Sequence, residues 1–532
     1  MGLVLQTKST WIDRIIIMQQ FLHLAQRNPA WMAAFISLVL SFVNVITDDL
    51  INSDGIVYSE VAGAFLKGDV QAAIAQFSWP FYPLLVGIIS KVSFLSFETT
   101  AHLLNAGLLA LLAYIFVRCS QIMGGDKWVA IFAAVLLLTN VTLNGYRDLI
   151  IRDHGYWAFF FTALFFFLQY NQTKLTKYAL GFGISILIAV LFRIEGVVFA
   201  LCAPLILLFQ NCHWRERISQ CVLPLVPIIV VGVAMLALLF SFPELKDKFL
   251  ASSQNEGNLL GPLSYFQTTL GGIFNNIVEK GRLIEEFVFD VNARSMGTES
   301  IISILIMMLV VKTVSACGYI PAFFSLFTAF SNRLRNQVKG LKVVAGFMLI
   351  NLLVLTTVLT SKTFLTPRYA MTLALLISLL AAFGLADFFR SQSSQYAIWR
   401  KRAKVFLIVI LSYMFLDGFI SISADKSYLR DASQWLKENA PAEARLFSNE
   451  DSVYYYSGRK VDRGIIFIFY EKTRFSRLPS VEETKPYDYV AVKVSRKQKG
   501  FEEKVIAWIG DEPVHRSGNK RGDMMLIFKV KK

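Results

Sequence analysis

Apolar runs of about twenty residues recur through the first 420 positions of this 532-residue chain, and nothing else in the sequence constrains the fold as strongly. About 20 helical residues cross a bilayer core of ~30 Å, and only helices or closed barrels satisfy their backbone there, so the spacing predicts a polytopic α-helical membrane protein. The balance of 55% hydrophobic to 17% charged residues agrees, as does a mean hydropathy of +0.51. The net charge of +15 comes mostly from Lys and Arg in short loops between the runs. A membrane explains that pattern better than nucleic acid does.

Eleven crossings are expected, at about 30–47, 99–117, 128–145, 155–170, 178–192, 196–210, 221–241, 300–329, 342–360, 370–389 and 405–422. A segment at 84–95 is short and interrupted by Lys91, so an interfacial helix is expected there. Loops holding Arg118 and Lys127, Lys174 and Lys177, Arg215 and Arg217, Arg333 to Lys342, and Arg390 to Lys404 then share the cytoplasmic side. Trp11 to Ala25 has the spacing of an amphipathic helix on that surface, with a plain helical leader an equal reading. Asp13, Arg14 and Arg27 precede the first long run, which argues against a cleaved signal. The five cysteines offer no disulfide framework and no paired metal motif.

The opposite face receives most of the unusual polar groups. At the mouth of the first span lies Thr47-Asp48-Asp49-Leu50-Ile51-Asn52-Ser53-Asp54-Gly55-Ile56-Val57-Tyr58-Ser59-Glu60, opening an external loop of about 48–97. Carboxylates beside a span are costly unless they meet water, a cation or a substrate, so a site is the first hypothesis. The same face holds Arg147, Asp148, Arg152, Asp153 and His154, then Arg193 and Glu195, then Arg368 and Tyr369. Residues 1–423 thus form a transmembrane unit, and 424–532 a small α/β domain on the face outside the cytoplasm. In that domain Tyr428 to Asn439 has helical spacing, and Arg445 to Ser448, Tyr489 to Val494 and Met524 to Val530 read as strands.

Four stretches on that face carry a family resemblance: Asp54-x-x-x-Tyr58-x-x-x-Ala62 with Gly68-Asp69; Trp79-Pro80-Phe81-Tyr82-Pro83-Leu84-Leu85; Arg152-Asp153-His154-Gly155; and Pro367-Arg368-Tyr369. With them the chain resembles the GT-C superfamily of membrane glycosyltransferases, in the branch of protein O-mannosyltransferases and the aminoarabinose and galacturonic acid transferases of lipopolysaccharide. Tail segments Ala432 to Asn439 and Tyr454 to Arg459 are similar to that branch as well. Trp79 stands where several members have Lys, and His102 where many have Arg.

The resemblance implies a bacterial inner-membrane enzyme that takes a sugar from a polyprenyl-phosphate donor and gives it to an envelope glycolipid, glycan or protein. A departing phosphate needs no proton, so one general base suffices, together with cations or oriented donors for the phosphate. The resemblance implies Asp54 as the base; a helix cap is its plain alternative. Asp153 is the second acidic candidate, orienting the sugar or acceptor, with Arg152 or Arg147 on phosphate; a salt-bridge cluster at the span entry is the alternative. Arg368, beside Tyr369, suits the lipid phosphate through its forked donors. Arg193 and Glu195 are either site residues or a mutual ion pair, and Tyr58 and His154 are further binding candidates. Asp49 and Asp48 could cap, or bind Mg²⁺ or Mn²⁺ with Asp54, and metal dependence stays open. A transporter or a non-catalytic envelope assembly partner are the competing readings. Against the transporter, no internal repeat is apparent and the polar residues gather at one face instead of the midplane.

Overall fold

The structure is a computed structural model, described for residues 27–47, 50–210, 213–241, 275, 277–287, 296–391, 397–419, 426–461, 463–474 and 477–531. The amphipathic segment Trp11 to Ala25 and the pair Asp48 and Asp49 lie outside the described residues, as does most of the long loop near 242–298.

The helices of the membrane part include, in chain order, α1 (Pro29–Thr47), α2 (Ser53–Leu66), α3 (Val70–Gln76), α4 (Phe81–Ser93), α5 (Phe97–Ile122), α6 (Lys127–Leu138), α7 (Asp153–Thr173), α8 (Thr176–Phe192), α9 (Gly196–Cys202), α10 (Gly297–Cys317), α11 (Tyr319–Phe330), α12 (Leu341–Lys362), α13 (Pro367–Arg390) and α14 (Ala397–Asp417). Among the described residues six helices are long and apolar enough to cross a membrane: Pro29–Ile46, Phe97–Ile122, Trp214–Ala234, Gly297–Cys317, Leu341–Lys362 and Pro367–Arg390. Several expected runs are shortened or interrupted, for local reasons. The run 300–329 divides at Gly318, whose φ of +85° is a conformation that L side chains rarely adopt. The run 128–145 stops at Leu138, and Asn140 then caps a separate turn by accepting from the Leu143 N–H at 2.7 Å. In 196–210 and 221–241, Pro204 and Pro224 sit where α-helix gives way to 3₁₀ turns.

Helix α1 packs along α5, α5 along α7 and α7 along α8; α13 is enclosed by α6, α10 and α11. Small residues let it sit there: α13 is buried nearly all round from Ala370 to Ala386, where Ala, Ser and Gly recur among leucines. The first loop forms its own layer at one end of this bundle. In it α2 and α4 lie against each other, and the break between α2 and α3 falls at Gly68-Asp69, where Gly68 has φ of +85° and Asp69 accepts from the Ala72 N–H at 2.9 Å.

The C-terminal domain contains α15 (Ser427–Asn439), β1 (Leu446–Ser448), α16 (Asp451–Tyr456), α17 (Arg463–Arg474), β2 (Tyr489–Val494), α18 (Phe501–Ile509), β3 (His515–Gly518) and β4 (Met524–Lys529). Its sheet has the order β1-β2-β4-β3, with β1 parallel to β2 and the other pairs antiparallel. Both faces of β2 and β4 are covered, by apolar clusters around Leu429, Leu436 and Tyr454 on one side and Phe447, Phe501 and Val505 on the other. Strand β3 was not foreseen; its four residues, His-Arg-Ser-Gly, carry no apolar alternation to announce it.

Candidate active site

Asp54 and Asp153 lie 99 positions apart, and two amide side chains join the segments that carry them. The Ile150 N–H donates to Asn52 Oδ1 at 2.8 Å while Asn52 Nδ2 donates to the Ile150 carbonyl at 3.3 Å, fastening the entry of α2 to the entry of α7. Deeper, Tyr82 donates to Asn105 Oδ1 at 3.0 Å and Asn105 Nδ2 donates to the Leu149 carbonyl at 3.3 Å, so α4, α5 and the turn before α7 share one network. Neither amide was picked out from sequence. Asn105 could have been, as a polar residue within an apolar span.

The third strut is Trp79, whose indole N–H reaches the carbonyls of Leu191 at 2.8 Å and Val190 at 3.1 Å. It ties the loop to the end of α8, next to Arg193. A side chain at Gly155 would collide with the Phe192 ring, so only glycine at this point of Arg152-Asp153-His154-Gly155 allows α8 to end close enough for Arg193 to reach Asp153.

Two guanidinium groups thread three carboxylates. Arg193 pairs with Asp153 through Nη1 and with Glu195 through Nη2, and is itself almost fully buried. Arg368 donates to Asp54 Oδ2 at 2.6 Å, and its Nε lies 3.6 Å from Asp153 Oδ2. The two acids differ in access: the Asp54 side chain is 39% exposed and that of Asp153 is 1% exposed. Both occupy first helical turns, where the helix dipole favours an anion. Asp54 is not a cap: α2 starts at Ser53, Asn52 holds the cap position, and the Asp54 carboxylate points to Arg368 instead.

Aromatic rings wall this cluster. Tyr369 packs 4.7 Å from the Arg193 guanidinium and 5.9 Å from that of Arg368, and Tyr156 lies 5.8 Å from Arg193. Arg152 sits 4.9 Å over Phe77, which meets Tyr58 edge-on. Burial pushes the Tyr58 phenol well above its ordinary value, so it stays protonated and can serve as a donor but not as a base. Arg193, Glu195, Arg368 and Tyr369 share a narrow cleft of about 20 Å³ with Tyr156 and with Asn351 of α12. The Asn351 Oδ1 is buried and unpartnered among the described residues.

Two candidates stand apart from this group. Arg147 turns into the bundle, where Nε donates to Asn144 at 2.8 Å and Nη1 to Ser37 and Ser41 of α1 at 2.9 to 3.1 Å. His154 is sealed inside, edge-on to Trp157. Among the described residues no group of three or more His, Cys, Asp and Glu side chains could hold a metal ion. Arg368 lies between Asp54 and Asp153, and Asp48 and Asp49, the other expected ligands of Mg²⁺ or Mn²⁺, lie outside the described residues.

No protein-family model and no curated protein matches the sequence. The fold does have a counterpart among solved structures. The chain is similar to the archaeal oligosaccharyltransferase AglB from Archaeoglobus fulgidus, a structure in complex with an inhibitory peptide and a dolichol-phosphate, with a TM-score of 0.51 and 12% identity over 91% of this chain and 71% of that one. The likeness and the apolar helices together describe a polytopic helical membrane protein. At this identity the likeness reaches the fold alone.

Proposed function

We propose that the chain is a glycosyltransferase that moves a sugar from a polyprenyl-phosphate donor to a hydroxyl of an envelope glycolipid, glycan or protein, on the face of the inner membrane outside the cytoplasm. The observation that carries this reading is Arg368, a cation at the start of a buried helix that touches the half-exposed Asp54 and approaches the sealed Asp153. The counterpart holds a lipid-linked phosphate and a peptide, which supports a donor and an acceptor of these kinds here.

In this reading the acceptor oxygen attacks the anomeric carbon and a new C–O bond forms. The bond from that carbon to the phosphate oxygen breaks, and its electron pair leaves with polyprenyl phosphate. The acceptor proton passes to Asp54, and a single displacement inverts the anomeric configuration. Arg368 takes up the charge growing on the phosphate. Asp153, held by Arg193, keeps both guanidinium groups in place.

Cells lacking the protein should accumulate one polyprenyl-phosphate sugar, detected by mass spectrometry of extracted lipids. Re-expression of the wild type should clear it and Asp54→Asn should not. An unchanged lipid-linked sugar profile would refute the proposed donor.

A further inference from the structure

The C-terminal domain rests on the segment that carries Asp54. Leu50 is buried in that domain's apolar cluster beside Leu429 and Tyr454. The Ile51 N–H donates to the Tyr456 hydroxyl at 2.9 Å. The same hydroxyl donates to Glu98 Oε2 in the first turn of α5 at 3.0 Å. One turn further along α2, the hydroxyls of Ser59 and Tyr455 lie 3.5 Å apart. The Tyr456 ring is held in turn by Arg430, whose guanidinium stands 5.0 Å from its centre. Burial pushes the Tyr456 phenol up to about 12, so it keeps its proton and donates while it accepts.

This geometry has a consequence for Asp54. The residues ahead of α2 are gripped twice in succession, Ile51 by Tyr456 and Asn52 by Ile150, and the first turn begins at the next residue. An N–H at a helix entry that loses its acceptor frays the turn behind it. In that turn Asp54 is the carboxylate that pairs with Arg368.

We propose that Tyr456 is a positioning residue for Asp54, so that the C-terminal domain completes the site by fixing the entry of α2. The proposal rests on the reading of Asp54 as the reacting carboxylate. It asks of Tyr456 a single hydroxyl bridging Ile51 to Glu98.

The test uses the full chain in lipid nanodiscs and compares Tyr456→Phe, which removes only that hydroxyl, with Tyr454→Phe. The Tyr454 hydroxyl accepts from the Ser448 N–H and donates to the Leu446 carbonyl, both at 2.9 Å and inside the domain. Its loss should weaken the domain without releasing α2. Hydrogen exchange of the peptide covering 50–58 should quicken about tenfold in Tyr456→Phe and stay at the wild-type rate in Tyr454→Phe. Turnover is read with the polyprenyl-phosphate sugar extracted from cells lacking the protein. In Tyr456→Phe kcat should fall about tenfold with the donor KM within about twofold, the split expected when a reacting group is misplaced and binding is intact. Unchanged exchange at 50–58 overturns the proposal. So does equal loosening by Tyr454→Phe, or faster exchange with undiminished kcat. If the wild type itself turns over no donor, the glycosyltransferase reading fails, and the exchange comparison still decides whether Tyr456 fixes the entry of α2.

Discussion

Asp54 and Asp153 carry the same group, and their surroundings predict opposite failures when each is replaced by Asn. Asp153 is 1% exposed and meets Arg193, whose own side chain is 6% exposed. Removing one partner of a buried pair costs about 3–5 kcal/mol, because the remaining charge stays desolvated. Arg193 keeps Glu195 and Arg368 keeps Asp54, which places Asp153→Asn near the lower end, at about 3 kcal/mol. The Asp54–Arg368 pair is more open, with side chains 39% and 27% exposed, and pairs of that kind contribute roughly 0–1 kcal/mol. Asp54→Asn should therefore fold almost as the wild type does and lose about 100- to 10,000-fold in turnover, the range for a general base. Heating the two variants and the wild type as fluorescent fusions, with the surviving monodisperse fraction read by size-exclusion chromatography, gives the stability order. The extracted donor gives the turnover of the folded fraction. Asp54→Asn within about threefold of wild-type activity, or Asp153→Asn as stable as the wild type yet inactive, would refute the assignment of roles.

Arg368→Lys keeps the charge and loses the fork, so donor turnover should fall about tenfold or more; a donor affinity unchanged in Arg368→Ala would remove the phosphate from this residue. A reporter fused after Lys426 should signal outside the cytoplasm, since the basic loops fall on the other face; a cytoplasmic signal would overturn the placement of the whole site. Burial and then the neighbouring Glu450 raise the carboxyl of Asp451, which also bonds Ser53 beside Asp54. A raised pKa means that its stabilising contribution is full below the ordinary Asp value of about 3.9 and is lost as pH rises through the folded value, so the protection factor of residues 50–58, corrected for the intrinsic pH dependence of amide exchange, should rise on mild acidification. Asp451→Asn should flatten that response, and an identical pH profile in the variant would contradict it.

Composition and run length were enough to read a helical membrane protein, because a bilayer accepts so few backbones. The site was legible only as isolated residues. Asp54, Asp153, Arg193 and Arg368 each stand out as charges at the edge of apolar runs, but nothing in their spacing says that Arg193 serves Asp153 as well as Glu195. That pairing depends on the absent side chain at Gly155 and on the anchoring of Trp79, two contacts of high sequence separation. Arg147 and Arg152 look equivalent in Arg-Asp-x-x-x-Arg-Asp. Five residues apart around a turn, they face opposite ways, one to Ser37 and Ser41 and the other to Phe77. The N-terminal boundary of α2 mattered more than its length suggests. A helix starting at Gly55 would make Asp54 a cap, whereas the start at Ser53 puts Asp54 inside the first turn and frees its carboxylate for Arg368.

The pairing of Arg368 with Asp54 also bears on the order of events in the proposed reaction. Asp54, Asp153 and Glu195 are balanced by Arg152, Arg193 and Arg368, three charges of each sign, so the arriving phosphate meets a neutral cluster and must compete for a cation already engaged. Arg193 is the poor choice, locked by two carboxylates and almost fully buried. Arg368 is the more accessible, and its shortest contact is to the more exposed acid. The guanidinium 2.6 Å from Asp54 Oδ2 engages that oxygen in a hydrogen bond. Drawing Arg368 toward phosphate would relieve that restraint while the cation stabilises the leaving group. The two catalytic needs, a carboxylate oxygen free to accept the proton and a better-held phosphate, would then be met by one movement of one side chain, and only when the donor is present.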